Sequence, residues 1–171
     1  METQKTSPGK FSVSYGIILG VIMIILAVVM YVTGMALEGK QWPQYLYYLI
    51  FPALIIYAIS KYKKLNANIL SLGDAIKIGL VAGVVSGVVY GIYNLLFHYV
   101  IDPEFLDKVM SMVKDKLMEN PDMTEEMAEQ SLSFMKKIFS PGIGTAIWIA
   151  LSAIFGLIYS LIGGLIMKNE E

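Results

Sequence analysis

The sequence predicts an all-α integral membrane protein: a four-helix bundle with an extracytoplasmic amphipathic helical hairpin between its third and fourth spans. Three observations lead there. The chain of 171 residues is 56% hydrophobic and 16% charged, with a mean hydropathy of +0.63, which is too apolar for an ordinary soluble domain. Its charges are segregated, so that 11–37, 41–60, 78–101 and 138–167 hold no Asp, Glu, Lys or Arg. A bilayer core needs about 20 apolar residues in a helix, and each stretch supplies them. Between the last two lies a charged connection whose apolar residues recur at helical spacing.

The first span is expected over 12–35, with Gly16 and Gly20 making a small groove and Gly34 and Gly39 marking its end. Lys5 and Lys10 precede it as the n-region of a signal peptide would, but the apolar run exceeds the usual h-region of about 7–15 residues, so a retained helix is expected. A short link, Glu38-Gly39-Lys40, turns the chain into a second span over 42–60, where Pro43 suits a first helical turn. Trp42, Tyr45, Tyr47 and Tyr48 at one end, with Tyr57 and Tyr62 at the other, are read as interfacial aromatic belts. Pro52 should kink this helix. The second link carries Lys61, Lys63 and Lys64, and Ser71 with Asp74 forms a capping box that opens a third span over 72–99. The fourth span opens at Ser140-Pro141 and covers 141–167.

The connection 102–139 reads as two amphipathic helices of about four turns each. Asp102-Pro103 is expected as N-cap and first helical residue, ahead of an apolar face at Leu106, Val109, Met110, Val113 and Leu117. Asn120-Pro121-Asp122 is a turn, and Asp122 with Glu125 reads as a second capping box ahead of Ala128, Leu132, Met135 and Phe139. These faces must bury against each other, the bundle or the membrane surface. The segment also holds Met110, Met112, Met118, Met123, Met127 and Met135. Thioethers outside the cytoplasm can bind Cu(I), but an adaptable packing face is the expected role, and no metal or cofactor is assigned.

Lysine placement sets the orientation. The first link has Lys40 alone, whereas the second, counted through Lys77, has Lys61, Lys63, Lys64 and Lys77, with Lys5, Lys10 and Lys168 on the same side. Both termini are therefore expected in the cytoplasm, in a bacterial inner membrane, with the hairpin outside, although the hairpin itself carries five lysines among nine acidic residues and acids count little in this rule.

Gly79, Gly83, Gly87 and Gly91 fall at every fourth position of the third span. In water each would cost about 1 kcal/mol against alanine. In lipid the backbone has no water to turn to and stays helical, and residues four apart form one continuous groove for close helix approach. Ser152, Gly156, Ser160 and Gly164 make a matching row in the fourth span. Packing within the chain, a homo-oligomer interface, and a lipid or ligand groove are the three roles open to the row.

Asn94 and the only histidine, His98, share a face at i and i+4. They form a candidate polar site, to be weighed against an interhelical hydrogen bond and an interfacial side chain. Asp74 is expected to cap and Lys77 to snorkel. The chain has no cysteine, no arginine and a net charge of −1. Thiolate chemistry and bidentate arginine recognition are thereby excluded, nothing favours nucleic acid, and no carboxylate lies mid-span. No catalytic residue emerges.

The aromatic exit of the third span followed by Ile101-Asp102-Pro103-Glu104-Phe105, together with the four-span layout and the helical insertion, resembles an uncharacterised bacterial membrane family known as a domain of unknown function, family 4199. The resemblance implies an integral inner-membrane protein with four helices and carries over no site residues. The function expected is a structural or interaction scaffold. It would present the hairpin to a membrane or extracytoplasmic protein, with the bilayer itself as a partner and a homo-oligomer open. The alternative is a small transporter or channel component with a pathway along the third span.

Overall fold

The computed structural model describes residues 7–40 and 42–169. Among them the fold is all-helical: α1 (Pro8–Val32), α2 (Trp42–Leu65), α3 (Leu72–Leu96), α4 (Phe105–Met118), α5 (Glu125–Ile138) and α6 (Pro141–Met167), with a π-helical turn, Phe97–Ile101, continuing α3. Pro8–Val32, Trp42–Leu65, Leu72–Ile101 and Pro141–Met167 are long and apolar enough to cross a membrane. Large aliphatic side chains stay exposed around the perimeter, among them Ile25, Leu49, Ile92 and Ile166. In lipid that exposure has no cost, and the chain is an integral membrane protein.

Several expected boundaries move. α1 starts at Pro8, which occupies the first helical turn, and Ser12 turns its hydroxyl back to the Pro8 carbonyl at 2.6 Å. The helix stops at Val32 because Gly34 takes a φ of +74°, a conformation that ends helices and suits glycine. α2 runs unbroken past Pro52 to Leu65, so Lys63 and Lys64 sit in its last turn, where the helix dipole favours cations. Asn66-Ala67-Asn68 then reverses the chain, with φ of +53° at Ala67 and +62° at Asn68. The Ser71 hydroxyl accepts the Asp74 backbone N–H at 3.0 Å, as expected of a helix cap.

The core sits around α3. Its glycine face lies directly on α6: a Cβ added at Gly79 would collide with the Gly156 carbonyl, and one at Gly83 with the Ser152 carbonyl. Further along, Gly87 meets the Ile149 Cα and Gly91 the Thr145 side chain, while Gly164 lies against Ala75. The two small-residue rows therefore interlock within one chain. On a second face of α3, Gly16 and Gly20 of α1 take Val85 and Val89. α2 closes the bundle with buried Phe51, Ile55, Ala58 and Ile59. Two residues assigned to the aromatic belts are core instead: Tyr47 is 3% exposed and Tyr62 1%. The Tyr47 hydroxyl pairs with Ser86 Oγ at 3.0 Å, and that partner makes a tyrosine tolerable at depth. Trp42, Tyr45, Tyr48 and Tyr57 remain exposed.

At one end of the bundle the α2–α3 turn is stitched to the end of α6. Lys63 Nζ donates to the Met167 carbonyl at 2.8 Å. Asn169 donates to the Asn68 carbonyl at 2.6 Å and accepts the Leu70 N–H at 3.0 Å. The Lys63 contact satisfies a carbonyl at the end of α6 that would otherwise lack a partner.

Gly83→Leu is expected to lower the unfolding temperature in detergent sharply, since overpacking costs about 1–3 kcal/mol even where neighbours can shift and here the neighbour is backbone. Val84→Leu, on the exposed face beside it, should leave the transition unchanged. Equal unfolding temperatures for the two variants would rule out the close seam.

Candidate functional site: the cavity beneath the hairpin

The π-helical turn sets the approach to the hairpin. The Asp102 N–H reaches back to the Phe97 carbonyl at 2.9 Å, a five-residue step that widens the helix; such turns recur at functional sites. Phe97 is buried and stacks edge-on with Tyr31 of α1 at 4.9 Å and with Phe105 of α4 at 5.2 Å. Asp102 does not cap α4. Glu104 holds that position without a side-chain bond, because the Asp102 carboxylate is engaged elsewhere. It accepts from the Tyr31 hydroxyl at 3.1 Å and from Lys108 Nζ at 3.1 and 3.2 Å. Loss of hydration pushes the Asp102 carboxyl up, but the hydrogen bonds from Lys108 and Tyr31 outweigh it and hold the group below its ordinary value. Lys108 is raised, chiefly by its hydrogen bond to Asp102.

The hairpin itself is lightly held. α4 has no buried residue and α5 only Ala128. Asp122 is not the cap of α5; Thr124 is, accepting the Met127 N–H at 3.3 Å, because the Asn120 side chain already closes the turn onto the Asp122 N–H. Lys136 pairs with Asp107 at 2.6 Å, and Lys114 lies 3.6 Å from both Glu125 and Glu129. Such exposed pairs contribute at most about 1 kcal/mol each. Phe134 and Phe139 are exposed, so Phe139 does not join the buried face expected of it.

Between the hairpin and the bundle lies an open cavity of about 650 Å³. Its roof includes Val109, Met110 and Val113 of α4, and Met135 of α5. Its floor includes Tyr90, Asn94 and His98 from α3 and its π-turn, and Thr145 and Trp148 from α6. A smaller space of about 140 Å³ continues from Tyr90, Asn94 and His98 toward Met23 and Tyr93. The structure thus brings Asn94 and His98 to one wall. Asn94 donates to Thr145 Oγ1 at 3.0 Å, joining α3 to α6. His98 Nδ1 and Trp148 Nε1 are buried with no hydrogen-bond partner among the described residues. The glycine and serine rows, by contrast, lie in the helix seam below. Trp148, Gln44 and Thr145 escaped sequence reasoning because they come from α2 and α6 and share no spacing with His98. Among the described residues no group of three or more His, Cys, Asp or Glu is placed to hold a metal ion.

Residues 14–169 match the model of a family described as protein of unknown function (DUF4199). The chain belongs to that family. Neither a curated protein nor a solved structure matches it. The match begins within α1 and takes in the other three spans and the hairpin.

The tether at Asp102 generates a pH prediction. A carboxylate with a lowered pKa contributes stability above its ordinary value of 3.8 and loses it as pH falls through the depressed one. Lys108 stays charged throughout that range, since its pKa lies above 10.5. Acidification below about pH 4 should therefore speed amide hydrogen exchange in α4, after correction for the intrinsic rate. Asp102→Asn should show the faster exchange already at pH 7. Equal α4 protection in the variant and the parent chain at pH 7 would show that the tether does not hold the hairpin.

Proposed function

We propose that this membrane protein is a non-enzymatic scaffold whose bundle presents the 102–139 hairpin outside the cytoplasm. One observation carries the reading: the contrast between a bundle whose helices touch backbone to backbone and a hairpin with almost no buried residue. A rigid platform under a lightly attached, apolar-studded arm is suited to engaging another membrane or extracytoplasmic protein. The exposed Phe134, Phe139 and Met127 are its contact candidates. Orientation follows from lysines. Lys10, Lys61, Lys63, Lys64, Lys77 and Lys168 belong to the bundle end opposite the hairpin, against Lys40 and the hairpin's own five lysines, which stand among nine acidic residues; the short links, with Lys61, Lys63, Lys64 and Lys77 against Lys40 alone, favour placing that end, with both termini, in the cytoplasm of the bacterial inner membrane. A homo-oligomer remains compatible, through faces other than the α3–α6 seam.

The second reading is a small transporter or channel component, favoured by the cavity at Asn94 and His98. Its pathway would have to leave the glycine row, whose face is filled by the α6 backbone.

Photo-crosslinking in living cells separates the two. A photoreactive residue at Phe134 or Phe139 should give one discrete protein adduct, and one at Leu80 on the lipid face none. Replacing 107–136 with a short linker should preserve the thermal transition of the bundle. Absence of any adduct from the hairpin, together with solute flux in liposomes that is lost in His98→Ala, would overturn the scaffold in favour of transport.

A further inference from the structure

One edge of the hairpin is left open. α4 lies across one end of the bundle. Phe105, at its start, stacks on Phe97, and near its other end Lys116 Nζ lies where a Cβ on Gly39 of the α1–α2 link would stand. α5 runs antiparallel beside it, since Lys136 pairs with Asp107 and Lys114 lies near Glu125 and Glu129. Those pairs mark the side of α5 that faces α4, and buried Ala128 marks the side that faces the bundle. At about 100° per residue, Met127 and Phe134 fall roughly 160–180° around the helix from the α4-facing side. They are 50% and 66% exposed, and Gln130 between them is exposed too.

Three features of that edge select its occupant. Met127, Gln130, Phe134 and Lys137 follow one another in alternating steps of three and four residues, the spacing of a two-helix seam. Gln130 is a polar residue inside it, of the kind that fixes register. Charge also reverses along the helix, with Glu126 in the first turn and Lys137 in the last. Among the described residues neither is in an ion pair, whereas Glu125, Glu129 and Lys136 are. Finally, Glu126 and Lys137 stand on the same flank of the seam, the one turned away from the bundle. An antiparallel copy of α5 satisfies all three. Met127 of each copy then packs on Phe134 of the other, and Glu126 of each meets Lys137 of the other. A parallel copy would set like charges together, which disfavours pairing. A bilayer surface would accept the apolar pair and leave Glu126 without a partner. The geometry of insertion agrees: two chains inserted the same way in one membrane are related by a twofold axis along its normal, and that axis sets a helix lying across the bundle antiparallel to its copy.

We propose that α5 pairs antiparallel with α5 of a second copy of this chain, Met127 against Phe134 and Glu126 against Lys137, about a twofold axis near Gln130. The pairing rests on the reading of the hairpin as a contact surface and names its partner. The seam is short, and confinement of both chains to one membrane supplies the effective concentration it needs.

Cysteine crosslinking in native membranes tests this, on a full chain with no cysteine of its own. Gln130→Cys should oxidise to a product of dimer mass. Ser133→Cys, exposed on the same helix but off the seam, should stay monomeric. Chains carrying Met127→Cys and chains carrying Phe134→Cys, tagged differently and produced together, should crosslink to each other in preference to themselves. Adding Glu126→Lys to Gln130→Cys should remove most of the dimer product, and adding Lys137→Glu as well should restore it, at an unchanged unfolding temperature. If Glu126→Lys lowers that temperature, Lys137→Glu serves as the first change. The pairing is overturned if Gln130→Cys gives no more dimer than Ser133→Cys, or if Met127→Cys couples chiefly to itself. It is also overturned if the charge changes leave the product unaltered or the swap fails to restore it. A photoreactive residue at Phe134 separates this proposal from the scaffold reading. An adduct of the chain with itself supports both, and one with a different protein overturns the pairing while the scaffold stands. Adducts with lipid alone overturn both.

Discussion

The approach of α3 to α6 is the contact on which the other placements depend. Gly79 and Gly83 let the carbonyls of Gly156 and Ser152 come where a side chain would otherwise stand. Lipid tails are as apolar as the side chains they replace, so helices in a bilayer are held by dispersion at close range and by a few polar bonds. Backbone contact maximises the first. Once α6 is seated, the second face of α3 receives α1 through Gly16 and Gly20, and Ser86 is left for Tyr47 of α2. The stitching of Asn169 and Lys63 to the helix ends then fixes the end of the bundle away from the hairpin.

The hairpin follows a different rule. It has few buried side chains, and its ion pairs lie in the open. It is located by its entry: the π-turn, the Tyr31–Phe97–Phe105 ring cluster and the Asp102 carboxylate. A segment anchored at its ends and light in buried contacts opens at lower free energy than the core beneath it. That difference lets one small chain combine a fixed platform with a cover over a cavity.

The four spans and the family were legible in the sequence because both rest on charge-free length and on order along the chain. The glycine row was legible as a close-packing face, since period four on a helix makes one line. Its partner was not, because Ser152-Gly156-Ser160-Gly164 would suit a second chain equally well. Caps proved harder to read. Asp102 and Asp122 have the right residue type in the right place, yet Asp102 is drawn to Tyr31 and Lys108, and Thr124 takes the role given to Asp122. Tyr47 and Tyr62 look like interface residues by position, and only the location of Ser86 across the bundle explains the burial of Tyr47. Asn94 and His98 could be paired by their spacing. The cavity they share with Trp148 could not, because its walls come from separate helices with no common period.

Because the chain has no cysteine, the seam can be tested by one engineered pair. Ala75 and the position of a Cβ on Gly164 are 2.8 Å apart, close enough for a disulfide after a small outward shift, since bonded cysteines hold their Cβ atoms about 3.8 Å apart. Oxidation of Ala75→Cys/Gly164→Cys in native membranes, followed by denaturing electrophoresis, reads out which chain supplies α6. A crosslinked product of monomer mass is the result predicted by a seam within one chain. A product of dimer mass would place α6 of one chain against α3 of another and contradict it.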